Sequence, residues 1–141
     1  MVAHLDMEEY KYTTKIQFNK HHLIADEPES IGGDDFGPSP YELLISALGA
    51  CTTMTLKMYA KRKKWNLREV FVYVSHEKTE PHNGDADSKL KPDLFKLKFR
   101  FVGELNEEQK ERLLEIAGKC PIHRSLKSIN YFESSMIDQA L

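Results

Sequence analysis

Cysteine is scarce in this chain, whose 141 residues include only Cys51 and Cys120. Two cysteines cannot build the disulfide framework that stabilises small secreted domains. An excess of either charge is also missing, since 20 Lys and Arg residues stand against 22 Asp and Glu residues. Without a basic excess, the chain lacks the means to neutralise nucleic-acid phosphates. We therefore expect a cytoplasmic protein that does not bind nucleic acid.

Long hydrophobic segments are missing as well. The first residues, Met-Val-Ala-His-Leu-Asp, contain no basic segment followed by an apolar one, so we expect no secretory signal. The longest mainly apolar stretch, residues 43–56, is shorter than the roughly 20 residues that a membrane-spanning helix needs. With 40% hydrophobic and 30% charged residues, the composition is that of a soluble globular protein, and we expect no membrane association. The length predicts a single domain over residues 1–141.

The residue patterns predict an α+β fold. Strands are predicted at residues 9–18, 22–25, 69–76, 94–102 and 130–136. Helices are predicted from residue 40 to about 61, from 107 to 117 and, briefly, from 121 onwards. Long loops are predicted at residues 28–40 and 78–92. Strands and helices come in runs rather than in strict alternation, which favours α+β over a parallel βαβ sheet.

The segment Ser39-Pro40-Tyr41-Glu42 has the pattern of a helix start. Ser39 can be the N-cap, Pro40 fits the first helical position, and Glu42 completes a capping box. The nine residues that follow, 43–51, carry no charge, so this long central helix should be buried on all sides. One small chain would struggle to bury it completely. We therefore expect a dimer with this helix near the interface.

The two cysteines lie at positions of different character. Cys51 falls in the middle of the apolar helix, next to Gly49 and Ala50, and a buried free cysteine there can simply be a small core residue. Cys120 precedes Pro121 and is therefore predicted to be the N-cap of a short helix, where backbone N–H groups and the helix dipole favour a thiolate. A structural cap without chemistry remains the alternative. A catalytic interpretation joins the two thiols in a disulfide, which requires their Cα atoms to lie within about 7 Å.

Two segments carry a resemblance to a known family. Residues 37–51, Gly-Pro-Ser-Pro-Tyr-Glu-Leu-Leu-Ile-Ser-Ala-Leu-Gly-Ala-Cys, resemble the signature helix of the osmotically inducible protein C (OsmC) and organic hydroperoxide resistance (Ohr) family. Residues 119–123, Lys-Cys-Pro-Ile-His, are similar to that family's second-cysteine segment. With the length and the element order, the resemblance covers essentially the whole chain. Two departures from the family pattern, given below, place the chain closer to the broader OsmC-like branch.

The resemblance implies a fold, a site and a reaction. The fold would be OsmC-like, with antiparallel sheets around a long buried central helix, in an intertwined homodimer that has each site at the dimer interface. The site would contain a peroxidatic thiol at Cys51 and a resolving thiol at Cys120. These would reduce organic hydroperoxides by a dithiol mechanism. An external dithiol or a lipoylated protein would restore the reduced enzyme.

One departure from the family pattern concerns a cation. Active members use an N-terminal arginine to hold the peroxidatic thiolate, whereas the first arginine in this chain is Arg62. The cationic candidates to replace it are Lys15, Lys20, His21 and His22. Lysine is a point charge without the planar fork of arginine, so none of these is an equivalent. We take Lys20 and His22 as binding candidates.

The second departure concerns a carboxylate. Active members place a glutamate directly after the helix-starting proline, where this chain has Tyr41, with Glu42 one residue later. One residue is about 100° around a helix, so Glu42 need not face the thiol. Glu42 is a candidate catalytic residue, with the capping box as the alternative role, and Tyr41 is a candidate binding residue.

Two hypotheses follow from these observations. The first is a thiol-dependent peroxidase in oxidative stress defence, acting on organic or small hydroperoxides through Cys51 and Cys120. The second is a non-catalytic dimeric module of the same fold, which binds a small ligand or senses redox state. Neither hypothesis requires a cofactor or a metal. Cys120 and His123 have no second ligand pair at zinc-site spacing.

Overall fold

The computed structural model describes residues 1–80 and 91–137 and confirms the predicted α+β class. The elements in chain order are β1 (Val2–His4), β2 (Thr14–Phe18), β3 (His21–Ala25), α1 (Pro40–Lys63), β4 (Asn66–Lys78), β5 (Asp93–Glu104), α2 (Glu107–Ala117) and α3 (Pro121–Lys127). A single 3₁₀ turn, Glu29–Ile31, lies in the predicted loop before α1. Most of the predicted loop at 78–92 lies outside the described residues.

The first sheet is a small antiparallel meander in the order β1-β2-β3. The predicted strand over residues 9–18 begins only at Thr14. The preceding segment turns instead, because the Asp6 carboxylate accepts hydrogen bonds from the backbone N–H groups of Glu8 and Glu9. The strand β1 was missed by the sequence analysis, since three residues are too few to show a period. Most residues of this sheet are exposed on both faces.

The second sheet is the long antiparallel hairpin of β4 and β5, as predicted but longer at both ends of each strand. Its register places Val74 opposite Leu97 and His76 opposite Phe95. Side chains of β5 alternate between half-buried aromatic or aliphatic residues and exposed cationic ones. One face of this sheet is therefore exposed to solvent. The end of β5 needs Gly103, which has φ +147° and would place a Cβ 1.9 Å from the Asn66 carbonyl oxygen.

Helix α1 organises the core. It packs against β4, α2 and α3. The main apolar cluster consists of Leu56, Tyr59, Leu113, Ile116 and Ala117. The expectation that α1 is buried on all sides is wrong for the single chain. Only one face is fully buried, formed by Leu48, Thr52, Leu56, Tyr59 and Ala60.

The length of α1 corrects the argument that the longest apolar stretch, residues 43–56, is too short to span a membrane. The helix has 24 residues and a mean hydropathy of 1.3 in its most apolar window, so by length and composition alone it could cross a membrane. In the single chain α1 packs against β4, α2 and α3, and 28% of that apolar window is buried.

The C-terminal helices follow their predicted signals, but the last predicted strand does not form. Asn106 and Gln109 form a reciprocal capping box at the start of α2, and Leu113, Ile116 and Ala117 are its buried residues. Residues 130–136 have no regular structure and are exposed. These residues pair with no strand in the described part of the chain, and a strand without a neighbour is not stable.

The loop before α1 is anchored by a buried carboxylate. Asp26 accepts hydrogen bonds from the Thr13 hydroxyl at 3.0 Å and from the backbone N–H groups of Glu27 at 2.8 Å and Phe36 at 3.2 Å. Burial by itself would raise the pKa of Asp26, but these hydrogen bonds together lower it. The Asp26 N–H also donates to the carbonyl of Pro38, which fixes the approach to the helix start.

Candidate thiol site

Cys51 lies on the border of the buried face of α1. Thr52 points into the core, and Cys51, one residue earlier, is turned about 100° away and is half-buried. On its other side lies an exposed apolar stripe, at helical spacings of three and four residues, formed by Ala47, Ala50, Met54 and Met58. The expectation that Cys51 is buried therefore fails within one chain. The residue is half-buried in the single chain, and its backbone carbonyl accepts a hydrogen bond from the Thr55 hydroxyl at 2.8 Å.

Cys120 has the opposite character, because its side chain is completely enclosed (0% exposed). It is the N-cap of α3, as predicted, with Pro121 at the first helical position. Its Sγ accepts a hydrogen bond from the backbone N–H of His123 at 3.3 Å. The sulfur thus occupies the place that a serine or aspartate oxygen usually takes at a helix start.

The two cysteine-bearing helices are joined by a hydrogen bond to sulfur. The Thr52 hydroxyl donates to Cys120 Sγ at 3.4 Å, and both residues are completely buried. Thr52 is the neighbour of Cys51, so this bond ties the residue beside one cysteine directly to the other cysteine. A buried hydroxyl needs a partner, and here the partner is the thiol.

A cavity of about 230 Å³ opens between α1, β5 and α3. Its apolar wall is formed by Leu48, Phe95, Leu97 and Leu126. Three polar side chains complete the lining, Asp93, His123 and Lys127. The cavity lies next to the start of α3, because His123 also donates its N–H to the Cys120 sulfur.

Tyr41 belongs to a polar and aromatic cluster at the start of α1. Its ring stacks on His76 with the centroids 4.3 Å apart. His76 Nε2 and Lys78 Nζ both contact Asp93 Oδ1, at 2.5 and 2.7 Å. Hydrogen bonds from Lys78 and then His76 lower the pKa of Asp93, and the Asp93 carboxylate is the main reason that the pKa of Lys78 is raised. Tyr41 therefore contacts β4.

Glu42 occupies the capping box that its position predicts. Its Oε2 accepts from the backbone N–H of Ser39 at 2.7 Å and from the Ser39 hydroxyl at 2.9 Å. The backbone bond, and then the hydroxyl bond, lower the pKa of Glu42. Nine helical positions separate Glu42 from Cys51, which is about half a turn in direction and about 13.5 Å along the axis. The two side chains therefore leave α1 on opposite sides.

Lys20 and His22 lie in the first sheet. Lys20 is exposed in the turn between β2 and β3, after Asn19, which has a positive φ of 48°. His22 pairs with Gln17 across β2 and β3 and is exposed. Their roles as binding residues, like the catalytic roles of Cys51, Cys120 and Glu42, stay predictions.

Comparison with known proteins identifies the family. A family model described as OsmC-like protein matches residues 32–134, which is most of the chain and includes both cysteines. The chain belongs to the OsmC-like protein family. Among curated proteins, no sequence matches this OsmC-like protein.

Solved structures share the fold at low sequence identity. An OsmC-like protein from Mycoplasma pneumoniae superposes with a TM-score of 0.71 at 17% identity, covering 91% of this chain and 86% of that one. A protein from Legionella pneumophila described as organic hydroperoxide resistance protein OsmC superposes with a TM-score of 0.66 at 19% identity, covering 89% and 86%. A putative organic hydroperoxide resistance protein from Vibrio cholerae with captopril bound has a TM-score of 0.61 at 17% identity, covering 89% and 82%. At these identities the likeness establishes the shared fold.

Sequence reasoning missed two features of the candidate site. Thr52 was passed over because a threonine in an apolar helix resembles any other core residue; its position directly after Cys51 was the available signal. The cluster of Tyr41, His76 and Asp93 was missed because it joins residues far apart in the chain, and no local spacing marks it.

Proposed function

We propose that this OsmC-like protein is a thiol-dependent peroxidase that reduces organic or small hydroperoxides in oxidative stress defence. The Cys51 thiolate attacks the peroxide oxygen, the O–O bond breaks, and the alcohol or water leaves while Cys51 becomes a sulfenic acid. Cys120 then attacks the Cys51 sulfur, which forms the disulfide and expels water. An external dithiol or a lipoylated protein supplies the two electrons that restore both thiols.

The observation that carries this proposal is the hydrogen bond from Thr52 to Cys120 Sγ. It brings the start of α3 against the helix turn that contains Cys51. The burial of the two cysteines in the single chain also fits the division of labour, since Cys51 is half-buried and Cys120 is completely enclosed. A peroxidatic thiol must meet substrate, whereas a resolving thiol needs to meet only its partner sulfur.

The proposal includes the intertwined homodimer, in which α1 is covered by a second copy. The exposed stripe of α1 is apolar, and a groove beside it is lined by Ile45, Gly49, Ala50, Val72 and Val74 among others. Adjacent β3 residues Leu23 and Ile24, which point to opposite faces of the first sheet, are 45% and 46% exposed. Apolar surface on a helix and on both faces of a sheet is typical of an interface.

The dimer can be tested by sedimentation equilibrium. A glutamate in the exposed stripe, Ala47→Glu, should convert a wild-type dimer to monomer, because a charge would be buried unpaired. Ser125→Glu, on the exposed side of α3, is the matched control and should remain dimeric. A monomeric wild-type protein would contradict this part of the proposal.

The dimer also offers a source for a positive charge near Cys51, which active family members take from an N-terminal arginine that this chain lacks. Lys20 and His22 lie on the sheet whose faces are exposed in the single chain, so a second copy could bring them to Cys51. Tyr41, near Lys78, is the third binding candidate, and the Glu42 carboxylate is engaged by Ser39. We also propose that the protein works in the cytoplasm and that its site needs neither a cofactor nor a metal. We propose no nucleic-acid or membrane partner.

Steady-state kinetics tests the proposed reaction. Consumption of cumene hydroperoxide and of hydrogen peroxide is followed with dihydrolipoamide as reductant. Cys51→Ser should abolish consumption. Cys120→Ser, given peroxide without reductant, should consume one equivalent and stop with a sulfenic acid that dimedone traps. Activity that survives in Cys51→Ser would contradict the assignment of the peroxidatic thiol.

A second function is favoured by the cavity between α1, β5 and α3. Its mainly apolar wall with three polar side chains is the composition of a small-ligand site. Under this alternative the protein is a non-catalytic dimeric binding or redox-sensing module. A ligand-dependent rise of the melting temperature, with both thiols unreactive to peroxide, would support the binding module over the peroxidase. Oxidation of the thiols without turnover would support the redox sensor.

A further inference from the structure

We infer that the Cys51–Cys120 disulfide is reduced from one side only: the external thiol attacks Cys51, and Cys120 leaves as a thiolate stabilised by Thr52. This inference rests on the proposed function, because it concerns how the oxidised site is regenerated. It names the sulfur that the reductant reaches and a positioning residue, Thr52, that acts through Cys120.

Access distinguishes the two sulfurs. Thiol–disulfide exchange requires the attacking thiolate to reach one sulfur, with the other sulfur leaving. Cys120 is enclosed by its own chain, so a second copy cannot make it more accessible. Cys51 lies at the edge of the exposed stripe of α1 and is half-buried. The second copy is proposed to cover this stripe, but Cys51 lies at its edge and outside the α1–α3 packing that encloses Cys120. A path to Cys51 therefore does not require that packing to open.

The surroundings of the leaving sulfur point the same way. Cys120 Sγ accepts hydrogen bonds from the Thr52 hydroxyl at 3.4 Å and from the His123 N–H at 3.3 Å. Two donors aimed at one sulfur stabilise the negative charge that it gains when the S–S bond breaks. The only described hydrogen bond of Cys51 outside the helix backbone is the one to its carbonyl oxygen, from Thr55. Cys120 is thus the better placed leaving group.

The reaction balances as two exchanges. In the first, the reductant thiolate forms a bond to Cys51 Sγ, the Cys51–Cys120 bond breaks, and Cys120 takes the electron pair and later a proton. In the second, the reductant's other thiolate attacks the reductant sulfur that is now bound to Cys51. This closes the reductant's own disulfide and releases Cys51 as a thiolate. The dithiol loses two electrons, and the protein disulfide gains them.

The inference is tested by mapping a trapped intermediate. The full-length protein is oxidised with one equivalent of cumene hydroperoxide or, separately, with diamide, and is then exposed briefly to 2-mercaptoethanol. An acid quench, denaturation and N-ethylmaleimide at low pH block the remaining thiols. Trypsin separates the cysteines into peptides 21–57 and 120–124, so mass spectrometry locates the adduct. We expect mercaptoethanol on Cys51 and maleimide on Cys120.

Each outcome decides something different. Mercaptoethanol on Cys120, or on both cysteines equally, overturns the inference and leaves the peroxidase proposal intact. A disulfide that forms with diamide and not with peroxide overturns the peroxidase proposal, while the adduct map still decides the inference. No disulfide with either oxidant overturns both.

Matched variants test the role of Thr52. Thr52→Val keeps the shape and removes the donor, and it should slow the appearance of the mercaptoethanol adduct about fivefold. Thr52→Ser keeps the hydroxyl and should restore the rate to within about twofold. Equal rates in the two variants would overturn the leaving-group role. Thr52→Ser and the wild-type adduct map keep the test decisive if Thr52→Val fails to fold.

Discussion

Thr52 and Cys120 face each other across the α1–α3 contact, with the threonine oxygen 3.4 Å from the cysteine sulfur. Both side chains are completely buried, so this polar pair lies inside the packing of the two helices. Because Thr52 follows Cys51 directly in α1, this contact connects the half-buried Cys51 to the enclosed Cys120. The proposed reaction and its regeneration both depend on this contact.

The role of Glu42 is testable by a conservative substitution. In Glu42→Gln the amide oxygen still accepts the hydrogen bonds from Ser39, so α1 should begin as before. We expect peroxide consumption within about twofold of the wild-type rate, because the side chain leaves α1 on the side opposite Cys51. A loss of a hundredfold or more, with an unchanged melting temperature, would instead place the carboxylate in the catalytic chemistry.

The buried Asp26 should make stability depend on acid pH. Its folded-state pKa is lowered by hydrogen bonds from Glu27, Phe36 and Thr13, which outweigh the effect of burial. A lowered pKa means that the carboxylate stabilises the fold above its unfolded value, near 4, and loses this effect as the pH falls through the folded value. In Asp26→Asn, the free energy of unfolding should be lower at pH 7 and should fall less between pH 5 and pH 3.

Urea titrations of wild type and Asp26→Asn at several pH values measure this difference. Thr13→Val, which removes one of the donors, should give part of the same change. Parallel pH profiles for wild type and Asp26→Asn would contradict the account of the loop anchor.

The core cluster provides a paired test on neighbouring residues of α2. Leu113 is 0% exposed and packs with Leu56 and Tyr59, whereas Leu114 is 47% exposed. Leu113→Ala should lower the free energy of unfolding by about 3 kcal/mol, because it removes buried methyl groups and leaves a cavity. Leu114→Ala should change it by less than about 0.5 kcal/mol. Equal losses in chemical denaturation would contradict the orientation of α2.

A large part of the fold could be predicted from local patterns in the sequence. The capping patterns at Ser39, Asn106 and Cys120 each begin a helix in the structure, because a cap depends on residues within one turn. The hairpin of β4 and β5 was equally visible, since its alternation runs over many residues. These features need no knowledge of distant contacts.

The features that failed depend on neighbours that no local pattern reveals. Residues 130–136 have a strand-like composition and no described strand beside them. The uncharged run in α1 indicated burial on all sides, yet the single chain covers one face only. In the same way, the contact between Thr52 and Cys120 joins residues 68 positions apart, which spacing alone could not predict.

The most direct test of the central claim is a thiol count before and after one equivalent of cumene hydroperoxide, with intact-mass analysis. The account predicts that both thiols disappear, that the mass falls by two hydrogens, and that Cys51→Ser shows no loss. Two unreacted thiols in the wild-type protein would contradict it, and would leave the OsmC-like fold without the proposed chemistry.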